Sequence, residues 1–138
     1  MATQTYQQSP AVSVALAHVE SWSNQDYDAA RAALAPDVKV TVTSTMEGLP
    51  KTDTVGVDDY MSGLVMFADT IVPGSLRIDG SIGDERNALL IVTVKTAGPP
   101  MGSMTLPAAR LYLLDENNKI KSEQVIFYAV PDLAPAET

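Results

Sequence analysis

Two long apolar arms joined by a short polar turn, together spanning Thr105 to Val130, restrict what this chain can fold into more than any other stretch. Thr105 to Leu114 and Ile120 to Val130 are rich in aliphatic, β-branched and aromatic residues, and Asp115-Glu116-Asn117-Asn118-Lys119 between them is a turn composition, so the pattern is that of a β-hairpin. Each arm is about ten residues, long for a strand, and a hairpin of that size needs cover on at least one face. Alternation places Ala108, Arg110 and Tyr112 on one face and Leu111 and Leu113 on the other. Glu123, Val125 and Phe127 alternate in the same way with Gln124, Ile126 and Tyr128. Neither face shows the polar row of a sheet wetted on one side. One face is therefore expected to meet helices and the other a second subunit, through Leu111, Leu113, Ile126 and Tyr128. A two-layer sandwich within one chain is the alternative.

The 138 residues suit a single domain, 1–138, large enough for a proper core, with flexible tails expected at 1–8 and 132–138. A net charge of −8 argues against nucleic acid and against an anionic membrane surface. No apolar run approaches the length of a membrane span, and the first twenty or so residues lack a basic start followed by a continuous apolar segment, so a cytoplasmic protein is expected. With no Cys and one His, neither a disulfide framework nor a zinc site is expected.

In chain order, Ser9-Pro10 opens a helix, Ser as cap and Pro at the first helical position, and Val12, Ala15, Leu16, Val19 and Trp22 give it one apolar stripe. Asp26 caps a second helix through Tyr27, Ala30, Ala33 and Leu34, which Ala35-Pro36-Asp37 should end. Val38, Val40 and Val42 alternate with polar residues as a half-buried strand. A loop is expected from Met46 to Thr54, and a third helix from Val57 to Ile71 with Asp58 and Asp59 in its first turn, where the helix dipole favours negative charge. Strands follow around Leu76 to Ile82 and Ala88 to Thr96, then a loop from Ala97 to Gly102 and the hairpin. Helix, helix, strand, helix and a run of antiparallel strands make an α+β plan, helices on one face of a curved sheet, an arrangement that leaves room for a cavity between the layers.

The segment His18 to Val40, with its turn ending in Asp26 and its Ala35-Pro36-Asp37-Val38 before the first strand, resembles the opening of the nuclear transport factor 2-like superfamily. Leu114 to Phe127 resembles the closing hairpin of the superfamily's SnoaL-like and ketosteroid-isomerase-like members. The resemblance covers nearly the whole chain. It implies a cone-shaped α+β barrel, usually a homodimer, with three helices on the concave face of the sheet and a deep apolar pocket. Isomerases, polyketide cyclases, dehydratases, epoxide hydrolases and non-catalytic modules share that fold, which cannot choose among them. By position, His18 falls at the oxyanion-hole tyrosine of a ketosteroid isomerase, Val42 at its proton-shuttling aspartate and Arg110 at its protonated aspartate, so both carboxylic acids of that mechanism are missing. Val125 stands where epoxide-hydrolase-like members carry a catalytic Asp.

What remains is a cluster of His18, Arg110 and Glu123 in an apolar pocket. Arg110 and His18 would hold a developing oxyanion, and Glu123 would move a proton. Each has a plainer alternative: His18 as a partly buried or surface histidine, Arg110 and Glu123 as an ion pair across the hairpin. Trp22, Val42, Tyr60, Leu64, Tyr112, Val125 and Phe127 are the expected pocket walls, with simple core packing as the alternative for the aromatic ones. Asp26 and Asp37 read as cap and turn residues, and Asp58-Asp59 as first-turn charge. Gly98 to Gly102 lacks the spacing of a phosphate loop and could instead flap over the pocket mouth. The expected function is cofactor-free and metal-free acid/base chemistry, as an isomerase, cyclase or lyase acting on a small apolar carbonyl compound. The alternative is a ligand-binding or dimeric scaffold module.

Overall fold

The computed structural model describes residues 9–45, 51–98 and 102–128. The expected tails, the first part of the 46–54 loop and residues 99–101 of the proposed flap lie outside that range. The described residues form three helices and six strands: α1 (Pro10–Ser23), α2 (Tyr27–Ala32), β1 (Leu34–Ser44), β2 (Thr52–Val55), α3 (Val57–Ala68), β3 (Arg77–Gly83), β4 (Asn87–Thr96), β5 (Met104–Leu114) and β6 (Ile120–Phe127).

The helix starts follow their caps. Ser9 Oγ accepts from the Val12 amide at 3.1 Å with Pro10 behind it, and Asp26 Oδ1 accepts from the Ala29 amide at 3.3 Å. α2 stops short of the expected Leu34. The start of β6 takes its last carbonyls: the Ile120 amide donates to Ala33 O at 2.8 Å, and Lys119 Nζ donates to Ala32 O at 2.7 Å. From Leu34 the chain is already strand, so Pro36 falls inside β1. α3 likewise ends at Ala68, and Ile71 bridges to Thr96 instead of extending the helix.

The strands form one curved, open sheet in the order β2-β1-β6-β5-β4-β3. Four of the pairings are antiparallel, as expected, and the β1–β6 pair is parallel. β2 forms inside the stretch expected as loop, where Thr52 to Val55 pair with Val42 to Lys39. The long hairpin is β5–β6. Asp115 Oδ1 takes the Asn117 and Lys119 amides at 2.8 and 3.0 Å, and Asn118 turns the chain at φ 61°.

The sheet's inner face carries Leu90, Val92 and Val94 from β4, Leu106, Tyr112 and Leu114 from β5, and Ile120 from β6. These pack against Ala11, Val12, Ala15, Val19 and Trp22 of α1, and Tyr60, Met61, Leu64 and Ala68 of α3. Burying one such aliphatic side chain stabilises the fold by about 1.5–3 kcal/mol.

Candidate functional site

Between α3 and the β2-β1-β6-β5 half of the sheet lies a cavity of about 210 Å³. β1 contributes Val40 and Val42 to its wall, β2 Thr52 and Thr54, and α3 Asp59, Tyr60, Gly63, Leu64 and Phe67. β5 adds Arg110, and β6 adds Glu123, Val125 and Phe127. The period of two brings the strand residues to one side: Arg110 is paired with Val125, and Tyr112 with Glu123, on the same buried face.

Two charges are buried in this apolar wall. Arg110 is 4% exposed and Glu123 2%. Arg110 Nη1 donates to Glu123 Oε2 at 3.2 Å, so the ion pair across the hairpin is real. The guanidinium carbon sits 4.8 Å from the centre of the Trp22 ring and 5.8 Å from those of Phe67 and Phe127, so three aromatic faces share the cation. Arg110 Nε has no hydrogen-bond partner. Burial works against the charged guanidinium, but the neighbouring Tyr112, Glu123 and Tyr60 outweigh it and hold its pKa above the ordinary value.

Glu123 has a second partner. Its Oε1 accepts from the Tyr60 hydroxyl. Tyr60 Oη also lies 3.0 Å from His18 Nε2, and His18 Nδ1 lies 3.0 Å from the Ala30 carbonyl. A carbonyl only accepts, so Nδ1 carries the hydrogen of that bond. The result is a buried line running from the end of α2 through α1 and α3 to β6. Burial lowers the His18 pKa, against the opposing pull of Glu123 and the Ala30 carbonyl. Burial first, and then Glu123, push the Tyr60 hydroxyl well above the usual range, and the same two causes act on Tyr112. Tyr112 Oη is buried beside Glu123 and Arg110 without a hydrogen bond of ordinary geometry to either.

Of the residues expected at the site, Arg110, Glu123, Val42, Tyr60, Leu64, Val125 and Phe127 line the cavity. His18, Trp22 and Tyr112 do not. His18 is 1% exposed and stands behind Tyr60 with both ring nitrogens engaged, so it is neither a surface histidine nor in reach of a ligand oxygen. It is buried because α2 folds back over α1 and widens the covered face beyond the apolar stripe. Trp22 is a floor under Arg110 rather than a wall. Thr52 and Thr54 escape the sequence reading because β2 was expected as loop, although Thr-Asp-Thr-Val alternates as a short strand does. Phe67 belongs to the helical stripe of α3, but nothing in that spacing says that it faces a cavity. Asp59, expected as first-turn charge, also reaches the lining.

A curved open sheet with three helices on its concave side, closing over a small apolar cavity with a few buried polar groups, defines the nuclear transport factor 2-like class of α+β proteins. Within that class the chain belongs to the SnoaL-like domain family, whose profile matches residues 15–123. A search of curated proteins finds no significant match. Among solved structures it is similar to a nuclear transport factor 2-like protein of Cytophaga hutchinsonii, at 16% identity over 90% of this chain and 94% of the other, TM-score 0.62. A SnoaL-like polyketide cyclase of Jannaschia sp. superposes with TM-score 0.69 at 13% identity over 91% of each chain. An LEH-like epoxide hydrolase of M. tuberculosis does so with TM-score 0.66 at 17% identity over 86% of this chain and 82% of that one. Among the described residues, no helix is long and apolar enough to cross a membrane.

Proposed function

We propose that the protein is a cofactor-free acid/base enzyme acting on a small apolar compound that bears a carbonyl group. Glu123 moves the proton, and Arg110 holds the oxygen on which negative charge develops. The observation that carries this reading is the buried Arg110–Glu123 pair set into the wall of an otherwise apolar cavity. A carboxylate has about four lone-pair positions, and Arg110 and Tyr60 take two of them, which leaves Glu123 able to accept from a ligand. Arg110 cannot lose its proton, so it serves as a fixed cation for an enolate. His18 is one layer too deep for the oxyanion role first expected of it, because Tyr60 lies between it and the cavity.

Size narrows the substrate. A cavity of about 150 Å³ holds a benzene ring, and this one, at about 210 Å³, has room for one ring with a short substituent. Isomerisation and ring closure through an enolate fit the residues better than epoxide opening, because Val125 stands where epoxide-hydrolase-like members carry their catalytic Asp, and the wall's other carboxylate, Asp59, comes from the first turn of α3. The experiment is hydrogen exchange next to the carbonyl of small cyclic ketones in heavy water, followed by NMR. Exchange should be catalysed for some members of the panel, and Glu123→Gln should lower the rate by about 10²–10⁴-fold. If no ketone either exchanges or binds, the cavity is a ligand store or a packing defect and the reading fails.

A further inference from the structure

The line Ala30 carbonyl, His18, Tyr60, Glu123 has three contacts and needs a hydrogen in each. His18 Nδ1–H fills the first, because the carbonyl can only accept. Tyr60 has one hydroxyl hydrogen for the other two. With a neutral imidazole and an ionised Glu123, two hydrogens serve three contacts. Given to Glu123, the Tyr60 hydrogen leaves the bare Nε2 lone pair facing a hydroxyl oxygen at 3.0 Å. Given to Nε2, it leaves the hydroxyl oxygen facing a carboxylate. Either way one contact is without its hydrogen, among side chains that are each at most 4% exposed.

We propose that this gap is a proton position waiting to be filled, and that Glu123, Tyr60 and His18 act together as the base of the site. When a ligand C–H bond breaks, its proton forms an O–H bond on Glu123 and the electron pair stays on the ligand as an enolate beside Arg110. The new carboxylic acid donates to Tyr60 Oη, and Tyr60 turns its own hydroxyl hydrogen to His18 Nε2. All three contacts are then filled and no proton has left the line. Returning the proton to another ligand carbon reverses each step. Tyr60 and His18 are positioning residues here: they stabilise the loaded state of Glu123 from behind and make no bond to the ligand. This deepens the function proposed above and rests on it for the identity of the proton donor.

The groups that face the line are few. α1 supplies only His18, and α2 only the Ala30 carbonyl. α3 supplies Tyr60, with Asp59 in the cavity lining. β5 supplies Arg110 and Tyr112, and β6 supplies Glu123. β1 and β2 give the cavity wall only Val40, Val42, Thr52 and Thr54, none of them charged. A proton taken up here is therefore shared among a small, closed set.

Because His18 is the only histidine in the chain, ¹⁵N-histidine labelling of the full-length protein reads the line without assignment. At neutral pH, Nδ1 should resonate as a protonated ring nitrogen and Nε2 as a bare one. Glu123→Gln should show the hydrogen-bonded Nε2 at every pH, because the amide donates to Tyr60 permanently while its carbonyl still accepts from Arg110. Tyr60→Phe, the second variant, should uncouple the two ends and leave Nε2 bare even when combined with Glu123→Gln. A native Nε2 that already carries its own proton at neutral pH overturns the proposal, as does a Glu123→Gln spectrum with Nε2 unmoved from the native neutral position. Loss of ketone exchange in Glu123→Gln with an unmoved Nε2 would keep Glu123 as base and remove the relay. A moving Nε2 with no ketone exchanged would keep the relay and remove the reaction.

Discussion

At the scale of single residues, the buried Arg110–Glu123 pair takes two charges out of water and ties each to the other. Removing one member of a buried pair leaves the other's charge without its partner, whereas replacing both can be nearly neutral. Arg110→Met should therefore lower stability by about 3–5 kcal/mol, measured by urea unfolding. The double variant Arg110→Met with Glu123→Leu should recover most of that loss, because Tyr60 can then give its hydrogen to His18. A double variant no more stable than Arg110→Met alone would show that the aromatic faces of Trp22, Phe67 and Phe127, not the carboxylate, are the cation's main support. The tyrosines set a second dependence. Tyr60 and Tyr112 hold their protons well above the ordinary tyrosine range, and Tyr27, whose hydroxyl donates to Asp69 at 2.6 Å, is raised to about 12. A folded pKa above the unfolded one gives stability that is complete below about pH 10 and is lost as pH rises through the folded values. Urea midpoints should accordingly fall from about pH 10 upward, and less steeply in Tyr60→Phe. Tyr27 is only partly buried, so its share should be small. Alternation alone puts Arg110 and Glu123 on one face, so their pairing could be read from the chain. The His18–Tyr60 contact could not, because it depends on how α1 and α3 lie against each other.

At the scale of elements, one close approach locks the start of α1 to the β3–β4 turn. A methyl group on Gly83 would stand 2.4 Å from the Asn87 carbonyl oxygen, 2.8 Å from Val12 Cγ2 and 3.0 Å from Ser9 Oγ. The first is backbone and cannot swing aside; the same carbonyl accepts from the Asp84 amide, and the Ala11 amide donates to Asp84 O. Gly83→Ala should cost about 1–3 kcal/mol, the usual range for overpacking, and Ser9→Ala about 1 kcal/mol through loss of the cap. Because the two sites touch, their costs should not add, and a thermal-unfolding cycle checks this. A Gly83→Ala protein as stable as the native one would mean that the helix start and the turn shift freely. Element types could be read wherever local chemistry decides them: the caps at Ser9 and Asp26, the Val38-Val40-Val42 alternation and the Asp115 turn. They could not be read where a distant strand decides. α2 loses its last turn to β6, and Thr52 to Val55 become strand because β1 offers an edge. The parallel register of β1 on β6 leaves no mark in either segment.

At the scale of the molecule, the outer face of the sheet presents Leu89, Ile91, Leu111, Leu113 and Ile126 in register across β4, β5 and β6. Leu111 is 42% exposed, and a shallow depression lined by Leu89, Leu111, Leu113 and Gln124 crosses the face. We propose that two copies meet there. Sedimentation at micromolar concentration should give a dimer, and Leu113→Asp a folded monomer; a native monomer would refute the pairing. Both faces of the hairpin being apolar was legible from its alternation, whereas what covers the outer one was not, because a partner's surface is not written in this chain. The order of the strands bears on how the protein is made. β6, the last strand of the described residues, inserts between β1 and β5 and carries Glu123. Until it arrives, β1 and β2 have no strand beside them on the β5 side, and the cavity under α3 lacks the wall that Glu123, Val125 and Phe127 supply. A ribosome stalled before Ile120 would hold a nascent chain without Glu123 and with an open seam through its middle, a state whose unpaired strand edges favour aggregation.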